Sequence, residues 1–295
     1  MSKLRTKNYK PNSVFLGESY LRAVEELGTE DEGILVDGWP RFNEVTGGFR
    51  MKEFTVFCGP SGAGKTQFLA NLSMSLVDAK KGEVPQFIMS IETGDTDYSK
   101  RMMSVKARRD FNRGGPISYE ALSRFHTNHG SVFTRSKTRM ALYDNRIRLP
   151  LLLDELQYHR EVFGCKIAMI DNFNFMTEVV AQSRAIEEMD RVLHEIIAFT
   201  KANDIHIFMV FHPRKTPDER VWSKYDVKGS STAVQEAQNV LLFNRSLPKE
   251  IEEGKRSRTD REIFIDKMRR RGFYTGTKIF FNCNDGVTYS EDGHD

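Results

Sequence analysis

The segment FTVFCGPSGAGKTQFLANLSMSL, residues 54–76, restricts the fold more than any other part of the sequence. An apolar, aromatic-rich run ends in a glycine-rich octet, and apolar residues at helical spacing (Leu69, Leu72, Leu76) follow at once. The octet Gly59-Pro60-Ser61-Gly62-Ala63-Gly64-Lys65-Thr66 fits G-x-x-x-x-G-K-[ST], with Gln67 continuing into the helix. The chemistry needs this order. Glycines let consecutive backbone N–H groups turn inward around phosphate oxygens, and the helix N-terminus behind them adds its positive dipole end. Lys65 is placed to reach the outer phosphates, and the Thr66 hydroxyl to reach a Mg²⁺ ion. A strand–loop–helix unit of this kind implies a parallel α/β sheet that takes a nucleoside triphosphate.

The remainder of the chain agrees. Strand-like runs at PQFIMSIE, KIAMIDN, IHIFMVF, NVLLFNR, EIFIDKM and TKIFFN alternate in the first part with helical patterns at LLLDELQYHREVFG and at 185–202. With 295 residues and 39% hydrophobic content, the chain suits one large α/β domain with a short appendage. The expected division is 1–37, a basic arm and short amphipathic linker helix (apolar Phe15, Leu16, Tyr20, Val24 and Leu27), followed by the ATPase domain at 38–295. The linker helix has an apolar stripe to bury, on its own domain or on a neighbouring subunit.

Composition excludes several classes. Cys58, Cys165 and Cys283 lie far apart without metal-ligand spacing, which argues against structural zinc or a disulfide framework and for buried thiols in a reducing compartment. No apolar stretch reaches the roughly 20 residues of a membrane span, and the N-terminal MSKLRTKNYKPNS lacks the apolar centre of a secretory signal. Net charge is +3, but residues 101–150 hold eleven Lys/Arg against three Asp/Glu, a bias suited to a polyanion partner. This basic stretch is expected to be helical, with a loop at FNRGGP.

Two carboxylates follow from strand ends. Asp171 closes the apolar KIAMIDN run about 100 residues after the P-loop, where a phosphate-bound Mg²⁺ needs an acidic partner. Glu92, in SIETG at the end of the strand after the P-loop helix, stands where a group must orient the attacking water. A third strand, IHIFMVF, runs into His212 and then a basic loop.

Together these motifs resemble the motor domain of the DnaB family of ring-shaped replicative helicases, nearest to the Twinkle-type mitochondrial helicases and the primase-helicases of T-odd phages. The likeness runs from Gly38 to Tyr289 through GWPRFNEVTGGFRMKEFTVFCGPSGAGKT, SIETG, IAMIDNFNFM, VFHPRK, KGSSTAVQEAQNVLLFNR and DKMRRRGFYTG. It implies a RecA-like P-loop NTPase core, a mainly parallel twisted sheet with helices on both faces. By the resemblance, His212 touches the γ-phosphate and links its loss to the loop Pro213–Ser231. Arg214, Lys215, Arg220, Lys224 and Lys228 of that loop, with Gly229, Ser230 and Ser231, hold single-stranded DNA by its phosphates. Lys267 and Arg269 reach across a subunit boundary to the neighbour's γ-phosphate, and Arg245 and Phe281 sandwich the nucleotide base.

The implied protein is an ATP- and Mg²⁺-dependent, 5′→3′ single-stranded-DNA motor. It works as a homo-oligomer, a hexameric ring, beside a separate primase or loader, in a phage-infected or bacterial cytoplasm or nucleoid or in a mitochondrial matrix. A RecA-type recombinase or mediator filament remains a second reading of the same core, and a DNA-dependent ATPase scaffold or loading factor a third. The sequence departs from its relatives in four places, one of them the basic segment 101–150, which matches no motif of the family. None of the residues before 38 resembles a primase or collar domain, Asn174 stands where the nearest relatives often have Gln, and Lys52 stands where a Gly is common.

Overall fold

In the computed structural model, the described residues are 16–27, 33–77, 84–90, 92–135, 139–141, 149–173, 185–213, 223, 226–227, 231–283 and 285–292. The chain divides into two units, 1–32 and 33–295. In the first, helix α1 spans Leu16–Leu27. The boundary falls five residues earlier than expected because 33–37 belong to the motor's core. Val36 is buried, the Asn43 side chain bonds both its N–H and its carbonyl, and Ile34 bridges Phe49.

Strands β1 (Phe54–Cys58), β2 (Gln86–Ser90), β3 (Arg139–Ala141), β4 (Ile167–Asp171), β5 (His206–Phe211), β6 (Asn239–Arg245), β7 (Arg261–Met268), β8 (Lys278–Asn282) and β9 (Ser290–Glu291) form one sheet. Their order is β3-β2-β4-β5-β1-β6-β7-β8-β9. The six from β3 to β6 are parallel, and the last three add antiparallel. Parallel strands need both faces covered, which explains why β1, β2, β4 and β5 are buried at every position.

Alternate residues feed two cores. Phe54, Val56 and Cys58 of β1 pack with Leu152 and Leu156 of α6 (Leu149–Phe163) and Leu193, Ile196 and Ile197 of α7 (Ala185–Ala202). Phe57 points to the opposite face, where α2 (Pro40–Thr46), α3 (Lys65–Val77) and α4 (Asp95–Ala107) lie. Helix α3 is buried on nearly all sides, not along one stripe, and its Phe68 ring sits 5.4 Å from Phe57 and 4.9 Å from Trp39. Each such buried side chain contributes about 1.5–3 kcal/mol, so the helix behind the glycine loop is firmly seated.

The basic stretch is helical only in part, since Arg139–Ala141 within it forms strand β3. After α4 the chain makes a 3-10 turn at Phe111–Arg113 and then α5 (Tyr119–Arg135). The short β3 on the edge of β2 has no counterpart in the sequence reading. Helices α8 (Ser231–Glu236) and α9 (Pro248–Glu252) complete the set. Cys58, Cys165 and Cys283 are all buried, and no helix among the described residues is long and apolar enough to cross a membrane.

Candidate active site at the strand ends

The strand order itself assembles the site. β2, β4, β5 and β1 are neighbours, so their C-terminal ends deliver Glu92, Asp171, His212 and the P-loop to one edge of the sheet. Gly62 and Gly64 have φ of 73° and 94°, the left-handed region that glycine alone enters freely. At Gly59 a Cβ would lie 2.5 Å from the Phe243 carbonyl oxygen, so the loop start also excludes a side chain.

Lys65 is buried, and its ammonium donates to the carbonyls of Gly59 (2.7 Å) and Pro60 (2.8 Å) while standing 3.3 Å from His212 Nδ1. Burial pushes its pKa down, with the Asp171, Cys58 and Glu92 charges opposing. The Thr66 hydroxyl donates to Asp171 Oδ2 at 2.7 Å. Burial raises the Asp171 pKa to about 6, against the Thr66 bond. Its second oxygen, Oδ1, is buried with no hydrogen-bond partner. A desolvated carboxylate with one idle oxygen beside a hydroxyl is a donor set that fits a hard divalent cation.

Glu92 is exposed just past β2, with its Oε2 3.8 Å from His212 Nε2. Between them stands Asn172, the residue after Asp171, which the sequence reading left without a role. Its Nδ2 is 2.9 Å from Glu92 Oε2 and 2.9 Å from His212 Nε2. Two further residues were missed. Arg261 Nε donates to the Ala63 carbonyl at 2.5 Å, and Tyr289 Oη would be 2.9 Å from a Cβ on Gly64. Arg261, in β7, and Tyr289, just before β9, meet the loop from about 200 residues away in sequence, where no local signal could reveal them.

Other expected residues sort unevenly. Arg245 ends β6 in an exposed position, paired in register with Arg261. Phe281 is corrected. Its ring is fully buried between Trp39 (5.0 Å) and Phe68 (5.3 Å), so it is a core residue and no base can stack on it. Gln67 is also turned inward, donating to the Val287 carbonyl and accepting from Arg101. Lys267 donates to the Val234 and Gln235 carbonyls at 2.8 Å each, and Arg269 to that of Gln235 at 3.4 Å, at the end of α8. Arg214, Lys215, Arg220, Lys224, Lys228, Gly229 and Ser230, like Asn174, lie outside the described residues, and Ser231 opens α8. The foot of that loop is described: Pro213, next to His212, bridges Val227.

Comparison with known proteins gives one consistent answer. The DNA helicase/primase of Enterobacteria phage T3 is 22% identical over 235 residues, which cover 76% of this chain and 41% of the phage protein. The chain thus spans less than half of that relative's length. The ATPase domain of G40P superposes with a TM-score of 0.78 at 14% identity, covering 95% of this chain and 99% of that one. A DnaB-like replicative helicase, solved for its interactions with primase, superposes at 0.76 with 15% identity over 95% of this chain and 67% of its own. At such identities the superpositions establish the fold alone. Residues 35–285 match the model of the DnaB-like helicase C-terminal domain, and the chain belongs to that family.

Proposed function

We propose that this chain is the motor of an ATP-dependent DNA helicase or translocase, acting on single-stranded DNA with 5′→3′ polarity. The observation that carries this reading is the convergence of Lys65, Thr66, Asp171, Glu92 and His212 at one sheet edge in a chain of this family. The P-loop amides and Lys65 hold the phosphates of ATP. Thr66 and Asp171 would hold Mg²⁺, which would supply charge neutralisation at the outer phosphates. Glu92 orients the attacking water, and His212 donates toward the terminal phosphate.

His212 is covalently continuous with the loop at 213–231, whose foot is closed by the Pro213–Val227 bridge. Five Lys/Arg in that loop suit phosphate-backbone binding without base preference. Lys267 and Arg269 complete the site from a neighbouring subunit of a homo-oligomeric ring, which works alongside a separate primase or loader. Arg245, exposed on the P-loop side, contacts the base.

Two measurements test this. Displacement from a 5′-tailed fork is expected, and strand exchange without displacement would point to a recombinase instead. Arg269→Ala mixed with Lys65→Ala should recover part of the ATP turnover, because the two lesions can then meet at one interface and leave another interface with an intact P-loop and an intact Arg269. No recovery at any mixing ratio would remove the trans role.

A further inference from the structure

We propose that Asn172 is a positioning residue that sets the tautomer of His212, so that the ring presents Nδ1–H toward the P-loop. The inference deepens the reading above, since it takes Glu92 and His212 as parts of the same site.

Asn172 is fully buried, and its amide nitrogen makes both 2.9 Å contacts, to Glu92 Oε2 and to His212 Nε2. A primary amide nitrogen carries two hydrogens and accepts nothing, while an ionised carboxylate only accepts. The reversed amide would press Oδ1 against a carboxylate oxygen, so Glu92 fixes which end of Asn172 faces the pair. The contact to His212 is therefore also a donation, and Nε2 must offer its lone pair. A neutral imidazole has one lone pair and one N–H, which places the proton on Nδ1.

Nδ1 faces the Lys65 ammonium at 3.3 Å, and that group is itself only a donor. Asn172 and Lys65 thus compete for one lone pair on one ring. Distance favours Asn172, since Lys65 makes its shorter bonds to the Gly59 and Pro60 carbonyls. The Lys65–His212 contact is then donor against donor, and it is relieved once Lys65 turns to a phosphate. In the same state the ring points an N–H at the place where acceptor oxygens of a terminal phosphate arrive. Glu92 takes part by holding the amide that holds the ring, so the water-orienting carboxylate and the phosphate-sensing ring share one residue.

The test is the ring's own ¹⁵N spectrum, recorded on the full chain without nucleotide at about pH 8, where an ordinary imidazole is neutral. His212 is assigned by loss of its signals in His212→Gln. The expected spectrum shows protonated Nδ1 and bare Nε2. In Asn172→Ala the competing ammonium keeps its donation and the proton moves to Nε2, whereas Lys65→Ala leaves it on Nδ1. A wild-type ring protonated on Nε2, or on both nitrogens, overturns the proposal. So does an unchanged tautomer in Asn172→Ala. The wild-type spectrum decides even if that variant fails to fold. Because no turnover is read, failure here is separate from failure of the hydrolytic roles of Glu92 and His212, which their own ATPase assays decide.

Discussion

The same parallel strands end in two chemically opposite ways. At their C-terminal ends, Ser90 Oγ, Asp171 Oδ1 and Asn172 Oδ1 are buried without hydrogen-bond partners. At their N-terminal ends, polar side chains are just as buried but bonded. His206 uses both nitrogens, Nδ1 to the Arg50 carbonyl (2.7 Å) and Nε2 to Thr55 (3.0 Å). Glu53 is bonded by Asn239 at 3.0 Å and by Arg270 at 3.1 Å. Leaving a buried polar atom unpaired costs about 1–3 kcal/mol, so the idle atoms at one end are a standing cost that a ligand can relieve. The closed end serves stability; the open end serves chemistry.

The largest effect should come from filling the wrong role with a core residue. Phe281→Ala is expected to lose about 3–5 kcal/mol of stability, because the cavity opens against Trp39 and Phe68. Nucleotide affinity of the folded fraction should stay unchanged. A variant of normal melting temperature but weakened ATP binding would return Phe281 to the base site.

The two ends should also answer acid in opposite senses. His206 is pushed by burial from 6.5 to about 4, so the folded state holds fewer protons there than the unfolded chain. Its contribution is complete above about pH 6.5 and is lost as pH falls toward 4, on the order of 3 kcal/mol. Asp171 is raised from 3.8 to about 6, which costs stability above pH 6 and returns it as pH falls toward 3.8. In EDTA, chemical denaturation of the intact chain should therefore change little between pH 6.5 and 4 on account of these two groups. Asp171→Asn should unmask the His206 loss. If that variant is no more acid-sensitive than the parent, the contrast between the ends is wrong.

The smallest effect concerns the entry to β1. Lys52 has φ of 63°, a left-handed conformation that costs a side-chain-bearing residue about 1 kcal/mol or more. Lys52→Gly should raise stability by about that amount, read as an upward shift in melting temperature without change in turnover. A downward shift would mean that the lysine side chain compensates the strain.

These contrasts show what a sequence exposes. The P-loop, Asp171 and Glu92 were legible because each is a short motif at the end of an apolar run. The same holds for α7, whose expected span, 185–202, is the one observed. Phe281 was not, because Phe280 and Phe281 are adjacent on β8 and point to opposite faces; only the register with β7 decides which ring is buried. Asn172 was overlooked because its role depends on β2 and β5 flanking β4, a fact of strand order. The Lys52 substitution was visible as a departure from the family, and the positive φ supplies its physical meaning.

The central claim is that the open end of the sheet is a hydrolytic site whose chemistry is separable from folding. ATP turnover by Glu92→Gln, with and without single-stranded DNA, tests it most directly when paired with nucleotide affinity and melting temperature. The account predicts a loss of about 10²–10⁴-fold in turnover, with affinity and melting temperature held. Full DNA-stimulated turnover in Glu92→Gln would contradict it.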